Sequence, residues 1–288
     1  MKKTTEFRKL IGGKETLVLP GVYDCISTKL VEQAGFKAAG ITGAGLAASV
    51  LGYPDVGLTT MTEVLTQTKN IVRAVNIPIF ADCDTGYGNP LNVYRTIQEF
   101  EDAGVGGLFI EDQIWPKRCG HFEKKLLISK EDMVQKVKAA VDARKDPDLV
   151  IMARTDARAV YGLDDAIDRA RAYVKAGADL IFIEAPQTVE ELRKVAKSVK
   201  VPTMANMVEG GKTPILSVKE LEEMGFKVVA FSGSAQKLAI RAMKELLNAL
   251  KATGRLDGYI DKIASLSERS ELLGLPKYYD MEIKYGVR

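Results

Sequence analysis

Four acidic side chains stand close behind short apolar runs and could form one oxygen-only cluster. Asp82 and Asp84 flank Cys83 directly after such a run, so in an extended segment both carboxylates leave the same face. Two carboxylates this close raise each other's pKa unless a cation lies between them. Glu111, behind the next run, and Asp55, in an earlier loop, could complete the set. Because no histidine or cysteine group with zinc spacing lies nearby, the cluster predicts Mg²⁺, with Mn²⁺ as a substitute; the alternative is a solvated acidic loop.

A second candidate site is a short loop that collects rare reactive side chains, including the only tryptophan and the only histidine of the chain. The loop reads Trp115, Pro116, Lys117, Arg118, Cys119, Gly120 and His121. Lys117 and Arg118 would stabilise a thiolate at Cys119. Gly120 supplies the backbone freedom of a loop that closes over a ligand. These residue types suit either a nucleophile or a general acid or base, and the pattern alone does not separate the two.

The elements that must position these groups are short apolar runs alternating with helical segments, up to about residue 232. This alternation is typical of parallel strands joined by crossover helices. Glycine ends several helices directly before a strand, as at Gly35, and proline opens other strands, as at Pro78. Together these signals predict eight strands, the number that closes a (β/α)₈ TIM barrel of the α/β class. An open doubly wound sheet is the alternative.

Each predicted strand ends in a residue that can bind or ionise. The strand ends are Tyr23-Asp24, Thr42-Gly43, Asp82-Cys83-Asp84, Glu111-Asp112, Arg154-Thr155-Asp156, Glu184, Asn206 and Ser232. In a (β/α)₈ barrel the chemistry lies at the carboxyl ends of the strands, so we expect these side chains to share one mouth. For any single position the alternative is that a polar residue follows a strand because loops are wet.

A glycine-rich segment after the second predicted strand has two interpretations. Residues 43–48 (GAGLAA) fit the loose dinucleotide-binding fingerprint, with Glu63 at a plausible distance for a ribose ligand. However, Glu63 follows a helix start at residues 59–62 instead of ending a second strand, so nucleotide binding is a minor alternative. The preferred interpretation is a nest of backbone N–H groups that receives a carboxylate, formed by Thr42, Gly43 and Ala44.

The composition, 46% hydrophobic and 27% charged over 288 residues, is that of one large soluble globular domain, or at most two small ones. A net charge of +3, with both signs mixed along the chain, predicts neither a nucleic-acid partner nor an anionic membrane. The three cysteines form no disulfide pattern, and no segment has the length of a signal or a membrane span, so we expect a cytoplasmic enzyme. We assign residues 1–288 to one barrel domain, with residues 253–288 as a C-terminal helical arm.

Several segments together resemble the isocitrate lyase and phosphoenolpyruvate (PEP) mutase superfamily. The matching segments are Asp82-Cys83-Asp84-Thr85-Gly86-Tyr87-Gly88, Ile110-Glu111-Asp112-Gln113, Lys117-Arg118-Cys119-Gly120-His121, Ala153-Arg154-Thr155-Asp156 and Ala205-Asn206-Met207. The resemblance spans about residues 5–280, and the KRCGH segment is its strongest part. Within the superfamily the chain is similar to the short lyase branch, which includes 2-methylisocitrate lyase, 2,3-dimethylmalate lyase and enzymes of the petal-death and oxaloacetate hydrolase type.

The resemblance implies a set of site residues and an assembly. Mg²⁺ would be bound by Asp82 and Asp84, with Asp55 and Glu111 acting mainly through water. The carboxylate substrate would be held by Thr42, Gly43, Ala44, Asp82, Gly120, Arg154, Glu184 and Asn206. The implied catalytic residues are Cys119, as the proton donor, with Lys117, Arg118 and His121. The last helix would be exchanged between subunits, which gives dimers that pair into a homotetramer.

The implied activity is Mg²⁺-dependent cleavage of a 2-hydroxy di- or tricarboxylate of the 2-methylisocitrate or 2,3-dimethylmalate class, giving pyruvate plus succinate or propionate. Phe109 stands where the methylisocitrate lyases have histidine, and residues 206–211 read NMVEGG where they have NITEFG. Both differences favour a smaller 2-alkylmalate or oxaloacetate. The alternatives are an oxaloacetate-type C–C hydrolase, a carboxyphosphonoenolpyruvate or PEP mutase, and a non-catalytic binding module. Cys119 argues against a mutase, because phosphorus transfer needs no proton donor at that carbon.

Overall fold

The computed structural model describes residues 1–287 and contains a closed barrel of parallel strands. The strands are β1 (Leu17–Val22), β2 (Ala39–Ile41), β3 (Ile79–Asp82), β4 (Gly107–Glu111), β5 (Val150–Thr155), β6 (Leu180–Ile183), β7 (Thr203–Asn206) and β8 (Val228–Phe231). Each strand pairs with its sequence neighbours, and β8 pairs with β1 to close the ring, with Val228 opposite Leu17. The predicted (β/α)₈ barrel is therefore confirmed, and the open doubly wound sheet is wrong.

Helices separate the strands along the chain and continue after the last strand. They are α1 (Lys3–Ile11), α2 (Cys25–Gln33), α3 (Gly43–Leu46), α4 (Met61–Ala74), α5 (Pro90–Asp102), α6 (Lys130–Ala143), α7 (Ala157–Val160), α8 (Leu163–Lys175), α9 (Val189–Ala196), α10 (Val218–Met224), α11 (Ser234–Thr253), α12 (Leu266–Leu273) and α13 (Leu275–Lys284). A π-helical turn at Ala47–Leu51 continues α3, and a 3₁₀ turn at Ile260–Lys262 precedes α12.

Several of these helices begin where the sequence supplies a side-chain cap for the free backbone N–H groups. The Asp24 carboxylate accepts the Ser27 N–H at the start of α2. At the start of α4, Thr60 accepts the Glu63 N–H while Glu63 accepts the Thr60 N–H, which is a reciprocal capping box. Glu63 therefore belongs to a helix start, as its sequence context predicts, and not to a second strand that would present a ribose ligand.

The barrel interior is filled by apolar side chains that alternate along the strands, together with residues of α1. The rings of Phe7 and Phe80 stack with centroids 5.1 Å apart, and Phe80 and Phe109 follow at 6.2 Å. Residues two apart on a strand share a face, so Phe109 lies one layer below Glu111. Phe109 is thus a packing residue of the interior, and its difference from histidine changes the core beneath the mouth.

A second apolar layer lies between the barrel and its helices. On α5 the face towards the barrel is apolar and fully buried, through Val93, Ile97 and Phe100. In α8 the buried face is centred on Ala166, Ala170 and Tyr173, and Leu163 and Ile167 lie half-buried at its edge.

The chain divides into two compact units, residues 1–236 and residues 237–288. The second unit contains most of α11 together with α12 and α13. No described residue of these three helices is buried. No helix within residues 1–287 combines the length and the apolar character that crossing a membrane requires. The assignment of residues 253–288 as an arm of a single domain, and the exchange of a helix between subunits, stay predictions.

Candidate active site

The carboxyl ends of the strands bring most of the predicted polar residues to one mouth of the barrel. Asp82 ends β3, Glu111 ends β4 and Asn206 ends β7. Arg154 lies in β5 one residue before its end, and Glu184 directly follows β6. Because all eight strands are parallel, their carboxyl ends meet on the same side, as the strand-end pattern predicts.

Asp82 is held by backbone N–H groups on both of its carboxylate oxygens. Its Oδ2 accepts the Gly43 N–H at 3.0 Å, and its Oδ1 accepts the Asp84 N–H at 2.9 Å. A Cβ atom on residue 43 would lie 2.7 Å from Oδ2, so this approach requires glycine. The predicted nest at Thr42, Gly43 and Ala44 does receive a carboxylate, but the Gly43 N–H is taken by Asp82 of the protein itself. Thr42 caps α3 by accepting the Gly45 N–H.

The ammonium of Lys117 lies between two of the predicted acidic residues. Its Nζ is 2.5 Å from Asp55 Oδ1 and 2.7 Å from Asp84 Oδ1. Burial alone would lower the pKa of Lys117, but the charges of Asp84, Glu111 and Asp55 outweigh it and hold this pKa well above its ordinary value. Lys117 is therefore a cation that compensates the acidic cluster, and it does not serve as a neutral base in this arrangement.

Asp84 and Glu111 are buried carboxyl groups whose proton affinity is raised by their surroundings. Burial, opposed by Lys117 and reinforced by Asp82, raises the pKa of Asp84 to about 6. Burial also raises the pKa of Glu111, although Arg154 and Lys117 oppose this. Among the described residues, Glu111 Oε1 is a buried oxygen without a hydrogen-bond partner, whereas Asp84 Oδ1 is paired with the Lys117 ammonium. Such an unpartnered atom needs a further cation or donor to offset the cost of its burial.

Arg154 is the cationic centre of the mouth and contacts three carboxylates. Its Nε lies 2.9 Å from Asp156 Oδ2 and 3.2 Å from Glu111 Oε2, and its Nη2 lies 2.9 Å from Glu184 Oε2. The guanidinium also packs on the Phe182 ring, 5.1 Å from its centroid. A buried charge held on this many sides is fixed in position before any ligand arrives.

The loop between β4 and α6 carries the predicted reactive residues and is called the flap here (residues 114–126). Its base is closed by the Ile114 N–H, which donates to the Leu126 carbonyl oxygen at 2.8 Å. The Gln113 side chain holds the Arg118 backbone on both sides, donating to its carbonyl at 2.8 Å and accepting its N–H at 3.0 Å. The Cys119 N–H donates to the Asp55 carbonyl oxygen at 3.1 Å. The flap is thus tied down over the mouth.

The two flap cations expected to stabilise a thiolate at Cys119 are directed elsewhere. Burial raises the pKa of the Cys119 thiol; the backbone N–H of His121 and the charge of Arg154 oppose this, whereas the charges of Asp55 and Glu184 add to it. Lys117 is turned towards Asp55 and Asp84, and the exposed Arg118 side chain donates to the Glu123 carbonyl oxygen at 3.4 Å. Cys119 is therefore a protonated thiol near neutral pH, which is the state that a proton donor needs.

His121 joins the flap to the loop after β7. Its Nδ1 accepts the Lys212 N–H at 3.2 Å, so the neutral ring carries its proton on Nε2. Nε2 lies 3.7 Å from Glu184 Oε1, and burial lowers the pKa of His121 even though Glu184 opposes this. Within residues 1–287 these two atoms and Asn206 Oδ1 are buried without hydrogen-bond partners. They are free to contact a polar ligand.

Sequence reasoning missed Lys125 and Gln113 as residues of this site, and it placed Asp156 at the mouth without predicting its ion pair with Arg154. Asp156 follows Arg154 by two positions on an extended segment, and this spacing could have indicated the ion pair. Lys125 donates to Asp156 Oδ1 at 2.9 Å across 31 positions of sequence, which no local pattern indicates. Gln113 lies directly behind the strand-end pair Glu111-Asp112, but nothing in the sequence shows that its amide pairs with the flap backbone.

Comparison with known proteins assigns the family. A sequence model described as phosphoenolpyruvate phosphomutase matches residues 7–251. The chain belongs to the PEP mutase/isocitrate lyase superfamily. Relatives in this superfamily include 2,3-dimethylmalate lyase of Eubacterium barkeri, which is 45% identical over 100% of this chain and 99% of its own. They also include 2-methylisocitrate lyase of Aeropyrum pernix, 43% identical over 96% of this chain and 87% of its own. The expected resemblance, and an enzyme of the lyase class, are confirmed.

Solved structures of the superfamily share the whole fold. Oxaloacetate acetylhydrolase in complex with 3,3-difluorooxalacetate gives a TM-score of 0.94 at 33% identity, covering 99% of this chain and 97% of its own. Phosphonopyruvate hydrolase in complex with oxalate and Mg²⁺ gives a TM-score of 0.89 at 30% identity, covering 99% of both chains. The superfamily fold therefore accommodates both lyases and hydrolases, and the substrate of this chain must be sought in its own residues.

Proposed function

We propose that the protein is a Mg²⁺-dependent carbon–carbon lyase that cleaves a 2-hydroxy dicarboxylate of the 2,3-dimethylmalate class, or the related 2-methylisocitrate, to pyruvate and a second carboxylic acid. The observation that carries this proposal is the half-buried thiol of Cys119 on a flap whose backbone is tied over a cationic and acidic mouth. A cleavage that leaves a carbanion needs a proton donor shielded from water, and the flap supplies both.

The residues present fit a divalent cation of the Mg²⁺ type. Within the described chain no group of three or more histidine, cysteine or carboxylate side chains encloses a metal position by itself. Mg²⁺ does not require such a cage, because it is bound in many enzymes through one or two carboxylates plus substrate oxygens and waters. Asp82 and Asp84 would hold it, and Glu111 and Asp55 would orient its waters. When bound, Mg²⁺ would lower the pKa of the substrate hydroxyl and stabilise the negative oxygen.

The protein's own residues account for the remaining steps. Arg154 binds the carboxylate that gains charge as the C2–C3 bond breaks, and Glu184 and Asn206 orient the same half of the substrate. The hydroxyl proton leaves to a base, the electron pair of the broken bond remains on C3, and the other fragment is pyruvate. The Cys119 thiol then donates its proton to C3, and solvent later reprotonates the thiolate. The closed flap excludes water during this interval.

A smaller substrate is favoured by the residues that surround the predicted second half of the site. Gly210 and Gly211 offer no side chain to bind a third carboxylate, and a Cβ on residue 211 would lie 2.8 Å from the His121 ring. Hydrolysis of oxaloacetate is the second candidate, since the oxaloacetate acetylhydrolase structure matches the whole chain. The mutase alternative is disfavoured, because a shielded thiol would have no use in phosphorus transfer.

A substrate panel tests the proposal directly. With Mg²⁺, purified protein is expected to release pyruvate from 2,3-dimethylmalate or 2-methylisocitrate, and EDTA is expected to abolish this release. Oxaloacetate and phosphoenolpyruvate complete the panel, with 2-oxo acid formation or loss as the measurement. Loss of oxaloacetate without pyruvate from either hydroxy acid would favour the hydrolase. Inertness towards the whole panel would favour a non-catalytic module.

We also propose the homotetramer of helix-swapped dimers that the superfamily resemblance implies. The second unit supports it, because its helices expose large apolar side chains that an isolated chain would leave in water: Leu247, Ile260, Leu266, Tyr278 and Ile283. Sedimentation equilibrium of the full chain is expected to give four times the chain mass of 31.5 kDa. Leu266→Glu is expected to weaken the assembly, and a monomer at micromolar concentration of the unsubstituted protein would contradict the proposal.

A further inference from the structure

The residue that ties the tip of the flap to the barrel is Lys125, which neither the sequence motifs nor the proposed chemistry uses. Its side chain is 1% exposed, and Nζ donates to two acceptors. One is the Gly120 carbonyl oxygen within the flap. The other is Oδ1 of Asp156, the residue directly after β5, which lies 2.9 Å from Nζ. The buried ammonium of Lys125 thus joins the flap to the carboxyl end of β5.

Asp156 is itself fixed by the barrel. Its N–H donates to Asp112 Oδ1 at 3.0 Å, and Asp112 Oδ2 accepts from Thr155 at 2.6 Å and from Tyr173 at 2.8 Å. Arg169 adds a third donor to Asp112 at 3.2 Å. Because this network is buried and the Asp112 carboxylate accepts each of these hydrogen bonds, the Asp156 carboxylate is held in a fixed position for any group that binds it.

The same anchor positions Arg154. Asp156 Oδ1 accepts from Lys125 and also from Arg154 Nη2 at 3.1 Å, while Oδ2 accepts from Arg154 Nε. Burial alone would raise the pKa of Asp156, but the charges of Arg154 and Lys125 outweigh it and lower the pKa to about 2. Asp156 is therefore a permanent anion that two cations share, one from the flap and one from the strand that faces the substrate.

Gly120 also contacts the Arg154 and Glu184 side chains directly. A Cβ on this residue would lie 2.5 Å from Arg154 Nη2 and 2.5 Å from Glu184 Cδ, so the flap backbone rests directly on the substrate-binding pair. A larger residue here would force the Arg154 or the Glu184 side chain to shift. The position of the flap and the position of the Arg154 guanidinium are thus linked twice, once by direct contact and once through Lys125 and Asp156.

We propose that Lys125 is a positioning residue that holds the flap closed and, through Asp156, keeps the Arg154 guanidinium in place beneath it. The inference rests on the proposed function in so far as Arg154 and Cys119 act on substrate. Lys125 touches neither substrate nor metal in this scheme. It acts through the Gly120 carbonyl and the Asp156 carboxylate. Among the described contacts of Asp156, Lys125 is the one cation that comes from the flap.

Lys125→Met tests the proposal, with Lys124→Met as the matched control. Both substitutions remove one lysine from the flap, but Lys124 is exposed. The full-length proteins are treated with iodoacetamide, and alkylation of Cys119 is followed by peptide mass spectrometry. Loss of a buried charged hydrogen bond is expected to speed alkylation of Cys119 in Lys125→Met by about 10- to 100-fold. Lys124→Met is expected to match the unsubstituted protein.

Two further measurements separate positioning from a general loss of structure. Lys125→Met is expected to keep its affinity for Mg²⁺ by calorimetry while kcat/KM falls, because the acidic cluster lies on other strands. Lys125→Gln, which keeps an N–H donor without the charge, is expected to alkylate at an intermediate rate and covers the case in which Lys125→Met does not fold. An unchanged Cys119 rate in a folded Lys125 variant would overturn the proposal. Alkylation needs no substrate, so this result stands even if the substrate panel fails.

Discussion

Replacing Cys119 by serine is expected to lower kcat by about 10²-fold or more, because a general acid contributes roughly 10²- to 10⁴-fold to such a step. Serine retains the size and the hydrogen-bonding pattern, but its hydroxyl is a far weaker acid than a thiol. Mg²⁺ binding is expected to stay unchanged, since the Cys119 contact with Asp55 is made by the backbone N–H. Steady-state kinetics and calorimetric titration with Mg²⁺ measure the two quantities.

Cys25→Ser is the matched control for this substitution. Cys25 is the first residue of α2 and packs against the apolar layer around the barrel, so we expect its replacement to leave kcat unaffected. The pH profile adds a second check: a donor must be protonated, and burial raises the pKa of the Cys119 thiol, so activity should fall only as the pH rises through that raised value. Full activity in Cys119→Ser would refute the role given to this thiol.

Arg154→Lys is expected to lower kcat/KM by about 10²- to 10³-fold, which corresponds to roughly 3–4 kcal/mol lost when one partner of a buried, hydrogen-bonded charge cluster is removed. The guanidinium contacts Glu111, Asp156 and Glu184, and a single ammonium cannot replace these directed contacts. It would also fit the substrate carboxylate through fewer hydrogen bonds. Kinetics with the substrate identified by the panel measure the loss.

Arg158→Lys supplies the control for the Arg154 substitution. Arg158 makes a comparable two-fold contact with Glu191, at 2.7 and 2.9 Å, but it is more exposed and lies outside the mouth. This variant should keep its kcat/KM. Thermal unfolding of both variants shows whether a loss of activity is a loss of fold. An Arg154→Lys enzyme with normal kcat/KM would remove Arg154 from the proposed mechanism.

The barrel could be predicted from the sequence because most strands have a recognisable residue type at their start and at their end. A helix-ending glycine or a proline marks the entry, and a polar residue such as Asp82, Glu111 or Asn206 marks the exit. In a closed parallel barrel this one-dimensional pattern is enough to gather the exits at one mouth. The membership of the site was therefore largely predictable, whereas the contacts within it were not.

The charge state of Cys119 shows why contacts escape such reasoning. Lys117 and Arg118 are its sequence neighbours, yet neither side chain stabilises its thiolate, because Lys117 reaches back to Asp55, 62 positions earlier. Burial then decides the pKa of the thiol, and burial depends on how the flap folds down. The link between Lys212 and His121 spans 91 positions and is equally invisible in a local pattern.

The stacked rings of Phe7, Phe80 and Phe109 limit the routes by which substrate and products reach and leave the active site. These rings and Ile11 fill the barrel interior below the mouth, so the interior does not serve as a passage to the opposite end of the barrel. Cleavage turns one molecule into two, so both fragments must depart by the route that admitted their precursor. The flap lies on that route, so both fragments must pass it to leave.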